Sequence, residues 1–112
     1  MALLALGIPI LPGKREKWDS MAQKFSQPGE VKDRLDASRR AAGVHERTFL
    51  QETPAGDMVI VTLEGDNPAE AFAKMMADPS IRDFAEWAAD VHGMDPTAAP
   101  PPPPRLVYDS KG

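Results

Sequence analysis

The chain has 112 residues, 42% of them hydrophobic and 27% charged, a length that supports one compact domain around one core. Seventeen acidic against thirteen basic side chains leave a net charge of -4, so phosphate backbones have no general electrostatic reason to bind, and nucleic acid is set aside as a partner. The absence of cysteine excludes a disulfide scaffold, a thiolate metal site and a cysteine nucleophile together.

The apolar opening from Ala2 to Ile10 has no basic leader and runs straight into Pro12, Gly13 and Lys14. It is too short to span a bilayer and unlike a signal peptide, so the chain reads as soluble and cytoplasmic with no membrane partner. The same run suits a strand buried on both faces, with Pro9 near its end. From Gly13 to Gln27 the residues Trp18, Met21, Ala22 and Phe25 recur at helical spacing and predict a helix with one core-facing stripe, stopped by Pro28 and Gly29. A second helix is predicted over Glu30 to Ala42, with a thin stripe through Val31, Leu35 and Ala42 and with Gly43 as a left-handed stop.

Val44 to Glu52 sorts into two alternating sets, Val44, Glu46, Thr48 and Leu50 against His45, Arg47, Phe49 and Gln51. Asp57 to Glu64 is β-rich and apolar on both faces. Thr53-Pro54-Ala55-Gly56 between them carries the turn chemistry of an antiparallel hairpin. Asn67-Pro68-Ala69-Glu70 supplies a cap, a proline at the first helical position and an acid three residues after the cap. Asp78-Pro79 restarts the helix, which then presents Ile81, Phe84, Ala85, Ala88 and Val91 on one face and Asp83, Glu86 and Asp90 on the other, ending at Gly93. Pro96 and the run Pro100 to Pro104 favour an extended polyproline arm, whose tip, Leu106 to Tyr108, is expected to dock as a short edge strand.

Charge divides along the chain. Residues 14 to 47 hold nine bases and six acids, about +3, whereas residues 48 to 112 hold four bases and eleven acids, about -7. Such halves can attract within one subunit or across an interface, and ordinary solvated helix faces produce the same counts.

The order β-α-(α)-β-β-α-β is the split βαβ arrangement of the ferredoxin-like class. The expectation is an α+β domain over residues 1 to 95 with a four-stranded antiparallel sheet, followed by a proline-rich C-terminal arm over 96 to 112. Helices on one face leave the other face bare, and the two-sided apolar strand Met58 to Leu63 predicts that a second copy covers it as a homodimer, with the arm exchanged between subunits in one version.

Pro12-Gly13-Lys14 followed by Trp18, the hairpin around Thr53 to Asp57, and the ending Val91-His92-Gly93-Met94-Asp95 before a proline-rich stretch resemble a small uncharacterised bacterial family of the dimeric α/β-barrel superfamily. That superfamily also includes antibiotic-biosynthesis-type monooxygenases and stress-responsive barrel proteins. The resemblance implies two sheets packed as a dimeric α/β barrel, a small-molecule cavity between sheet and helices, and a cofactor-independent, monooxygenase-like activity. Its motifs are turn and packing residues, so no catalytic residue is carried over.

Dinucleotide, P-loop, nucleophile-elbow and zincin motifs are all missing from the sequence. His45 and His92 are the two imidazoles, and their spacing predicts neither a metal site nor a cofactor. His45 shares a strand face with Arg47, Phe49 and Gln51, which suits a polar-ended ligand pocket and equally an edge-strand solvent face. His92 reads as a ligand candidate or, more simply, as a residue compatible with its helix dipole. Trp18 lies on a core stripe, and Trp87, set beside the stripe of its helix, is a candidate for a cavity wall or an interface. Arg39 and Arg40 with Lys32 and Arg34 read as a solvated face pairing Asp33 and Asp36, or as an anion site. The functional expectation is a homodimer that binds a small apolar or aromatic molecule, with a non-catalytic dimerisation or stress-responsive module as the alternative.

Overall fold

The computed structural model describes residues 2–94 and 103–112. Three strands form one antiparallel sheet in the order β1-β3-β2, with β1 at Ala2–Pro9, β2 at Val44–Thr53 and β3 at Gly56–Gly65. Four helices complete the α+β fold: α1 at Arg15–Ser26, α2 at Glu30–Ala42, α3 at Pro68–Ala77 and α4 at Arg82–His92, the last entered through a 3-10 turn over Pro79–Ile81. No helix among the described residues is long and apolar enough to cross a membrane.

β3 is the central strand, hydrogen-bonded along both edges, but only one of its two apolar faces is covered by helices. Its register sorts the side chains of the sheet. Leu4, Leu63 and Glu46 lie in one row, Leu6, Val61 and Thr48 in the next, and Ile8, Val59 and Leu50 in a third, all on one face. Helices α1 and α4 cover that face: Trp18, Trp87 and Val91 join Ile10 and Val59 in the core, with Met21, Phe25 and Phe84 packed against it. Leu63 and Val91 are wholly buried.

Local chemistry places the helix ends. Asn67 accepts from the Glu70 amide at 3.2 Å and returns its own amide to the Glu70 carboxylate at 3.0 Å, closing a reciprocal cap at the start of α3. Gly43 ends α2 in the left-handed region at φ 76°, as its position after Ala42 predicts. The end of β1 is fastened twice: the Ile10 amide donates to the Asp57 carbonyl and the Leu11 amide to the Val91 carbonyl. This joins the strand to the hairpin and to the last turn of α4.

The basic and acidic halves meet within one chain. Lys14 and Lys17 both reach Asp90, Arg34 reaches Asp83, and Arg15 reaches Glu52 and Asp57. These pairs tie α1 and α2 to α4 and to the hairpin, although each is largely solvated and individually weak.

The expected fourth strand is not there. Leu106, Val107 and Tyr108 belong to no strand and stand 76%, 81% and 77% exposed, so β1 remains an edge among the described residues and the ferredoxin-like four-stranded sheet, with its pairing into a dimeric α/β barrel, is replaced by a three-stranded one. Three apolar residues flanked by Arg105 and Asp109 offer little surface to offset the entropy of ordering them on a sheet edge. Residues 96–102 of the expected arm lie outside those described.

One position in the sheet tolerates no side chain. A Cβ on Gly65, which pairs with both Ala2 and Val44, would stand 2.5 Å from the Gly43 carbonyl oxygen. That oxygen is backbone and cannot swing away. Gly65→Ala is expected to destabilise the protein by about 1–3 kcal/mol through this overpacking, read as a lowered midpoint in urea; an unchanged midpoint would show that the β2 entry yields freely.

Candidate functional site

Between the helix-facing side of the sheet and the helices lies a cavity of about 560 Å³. Its floor is aliphatic, made by Leu6 and Ile8 of β1 and Val59 and Val61 of β3. Its walls are aromatic. Phe25 meets Trp18, Phe84 and Trp87 edge-on at centroid separations of 6.3, 6.2 and 6.4 Å, and Phe84 lies 5.1 Å from Trp87. The 3.6-residue period of α1 and α4 brings these rings together, and edge-to-face geometry suits their quadrupoles.

His92 sits in the last turn of α4, 8% exposed, with its ring edge-on to Trp87 at 6.0 Å. Its Nδ1 is 2.8 Å from the Pro9 carbonyl oxygen. A carbonyl only accepts, so Nδ1 carries the proton and Nε2 keeps its lone pair. Burial pushes the imidazolium to lower pH than the ordinary 6.5, and the Pro9 bond opposes this only in part. The cavity therefore contains a neutral imidazole of fixed tautomer. His92 keeps its place in the last turn of α4, and its ring turns inward onto β1.

A polar cluster marks another stretch of the lining, where α2 faces β2. The Arg39 Nε donates to Glu46 Oε1 at 2.9 Å, the Thr48 hydroxyl donates to Glu46 Oε2 at 2.9 Å, and the Arg39 guanidinium lies 5.7 Å above the Phe84 ring. Arg39 and Glu46 are only 15% and 21% exposed. Lys32 is occupied by Asp36 one turn along α2, as its spacing predicts, whereas Arg34 turns to Asp83 and Arg39 to Glu46 instead of serving one common solvated face. The sequence contained a signal for this cluster: Glu46 is a carboxylate in the otherwise inward-facing set of β2, and an inward carboxylate calls for a cationic partner.

Trp87 and His92 thus belong to the cavity together, while Arg47 and Phe49 do not. The register puts His45, Arg47 and Phe49 opposite Glu64, Thr62 and Ile60 on the open face, with Arg47 reaching Glu64 at 3.8 Å and Phe49 52% exposed. His45 borders the cavity mouth at the start of β2, yet strand alternation sets its side chain with Arg47. Among the described residues, no three carboxylate or imidazole side chains cluster as metal ligands.

Comparisons with family models, with curated proteins and with solved structures returned no match.

The buried imidazole predicts a particular pH dependence. With the folded value depressed, the unfolded chain binds a proton as pH falls below 6.5 while the folded chain resists, so stability declines from there down to the folded value. Asp78, Asp83 and Asp90, lowered by bonds from Ser80, Arg34 and Lys17, act in a separate window below 3.8. His92→Asn, whose amide can still donate to Pro9, is expected to flatten the decline between pH 7 and 5 in thermal denaturation; parallel curves for the two proteins would count against a buried neutral imidazole.

Proposed function

We propose that the protein binds a small, largely apolar, aromatic molecule in the cavity between sheet and helices, and that it does so as a homodimer. The observation that carries the binding is the cavity itself. Its volume of about 560 Å³ lies in the range of small-molecule sites, and its aliphatic floor and aromatic walls, with charged side chains of α2 and β2 along one stretch, are a lining such sites use. Planar aromatic surface would stack on or abut Phe84 and Trp87 without leaving a buried polar group unpaired.

The support for a second copy is the open face of the sheet. Leu3, Phe49 and Met58 are 65%, 52% and 37% exposed there, beside Ala5, Gly7 and Ile60. The Arg47–Glu64 pair on the same face balances its charge. A two-fold axis would therefore bring apolar surface onto apolar surface without net repulsion. A non-catalytic dimerisation module draws on this same face and needs no ligand.

Two measurements separate these readings. Trp18 and Trp87 both line the cavity, so a panel of naphthalene-class and quinone-class compounds should quench tryptophan fluorescence and raise the melting temperature. Filling the lining with Ala88→Phe should abolish both effects. A panel that leaves both signals unchanged, or an Ala88→Phe protein that binds like the wild type, would overturn ligand binding.

For the dimer, neighbouring residues of β3 give the test. Val61 faces the helices and Ile60 the open side, so Val61→Asp should unfold the chain, whereas Ile60→Asp should leave a folded monomer by circular dichroism and light scattering. A wild-type protein that scatters as a monomer at micromolar concentration would exclude self-association through this face.

A further inference from the structure

The cavity's polar groups are not equally available to a ligand. Glu46 accepts from Arg39 on one oxygen and from Thr48 on the other, and Lys32 is held by Asp36. These charges answer one another, and Arg40 and His45, which also line the cavity, are exposed to solvent. His92 differs: its single N–H is spent on the Pro9 carbonyl, and among the described residues Nε2 has no hydrogen-bond partner. The ring lines the cavity beside Trp87.

From this arrangement we infer that the cavity selects aromatic molecules bearing a hydroxyl group, phenols and naphthols, which donate to His92 Nε2, over hydrocarbons, ethers and quinones of the same shape. The inference rests on the ligand-binding reading above and narrows it to one chemical class. An imidazole fixed as the Nδ1–H tautomer presents an acceptor and no donor at Nε2. A hydroxyl satisfies it. An ether or quinone oxygen, itself an acceptor, would face a lone pair and leave two buried acceptors unpaired, and a site built to bond a hydroxyl discriminates strongly against analogues that lack one. Reduced, hydroxylated rings are thereby separated from their oxidised quinone forms by one nitrogen. His92 acts here as a specificity-determining residue that touches the ligand.

The test uses the full chain and a matched set of probes: 2-naphthol, 2-methoxynaphthalene, naphthalene and 1,4-naphthoquinone, titrated by tryptophan fluorescence and calorimetry. The wild type is expected to bind 2-naphthol at least about tenfold more tightly than the other three. His92→Asn keeps a donor for Pro9 and removes Nε2, its own acceptor oxygen falling where the ring carries Cδ2, so it should bind all four with affinities within about threefold of one another. His92→Phe provides a second variant of similar ring size with the same expectation should the asparagine protein fold poorly. Nitrogen NMR of the wild type supplies a readout independent of either variant, since an unprotonated Nε2 resonance should shift on adding 2-naphthol and stay in place with the ether. Equal affinity for naphthol and ether in the wild type, or discrimination that survives in His92→Asn, would overturn the inference while leaving the cavity reading intact. Failure of all four to bind would overturn both.

Discussion

The strand β3 determines what the rest of the molecule can do. It is hydrogen-bonded on both sides, and in a pleated strand successive residues point to opposite faces, so its register with β1 and β2 assigns every side chain of the sheet either to the cavity or to the open side. Val59, Val61 and Leu63 become floor and core. Met58, Ile60 and Thr62 become surface. A slip of one residue would exchange these sets, placing Glu64 under the helices and emptying the core of its branched aliphatics. Gly65 guards the register at one end by its close approach to Gly43, and the two-residue turn at Pro54-Ala55 guards it at the other.

The layer above the sheet encloses space instead of filling it. Aromatic rings on α1 and α4 meet edge to face along its wall. Packing that leaves a hollow forfeits dispersion contacts across it. Some of the holding therefore falls to the periphery, where the amides of Ile10 and Leu11 secure the ends of β1 and the α1 and α2 cations reach acids on α4 and the hairpin. The uneven charge along the sequence finds its physical use here: the basic first half and acidic second half clasp the layer from outside.

Much of the fold was legible because its causes are local. Asn67 and Glu70 cap α3 with atoms three residues apart, Gly43 and Gly93 stop helices by their own backbone freedom, and Pro54 with Gly56 sets the hairpin. What the sequence concealed is tertiary. Leu106 to Tyr108 has the composition of a strand, but strand formation requires a neighbour to accept it, and local composition does not supply one. His45 and His92 show the same division at the site. Strand period correctly grouped His45 with Arg47 and Phe49 but could not say which side of the sheet the helices would take. His92 carries the local marks of a surface residue in a last helical turn, and only the return of α4 alongside the end of β1 buries it.

That return also explains why an imidazole suits this position. A buried residue at the end of α4 next to Pro9 must satisfy a strand-end carbonyl that has no sheet partner beyond it, which calls for a donor. An aliphatic side chain would leave the carbonyl orphaned, and a lysine would bring a charge into an apolar wall. Histidine answers the carbonyl with one nitrogen and faces the aromatic wall as a neutral ring. Its second nitrogen follows from the chemistry of the ring and not from any demand of folding: the group that closes the β1–α4 junction also adds an acceptor to the lining of the cavity. Structural support and ligand chemistry are in this way carried by one side chain, on opposite edges of one ring.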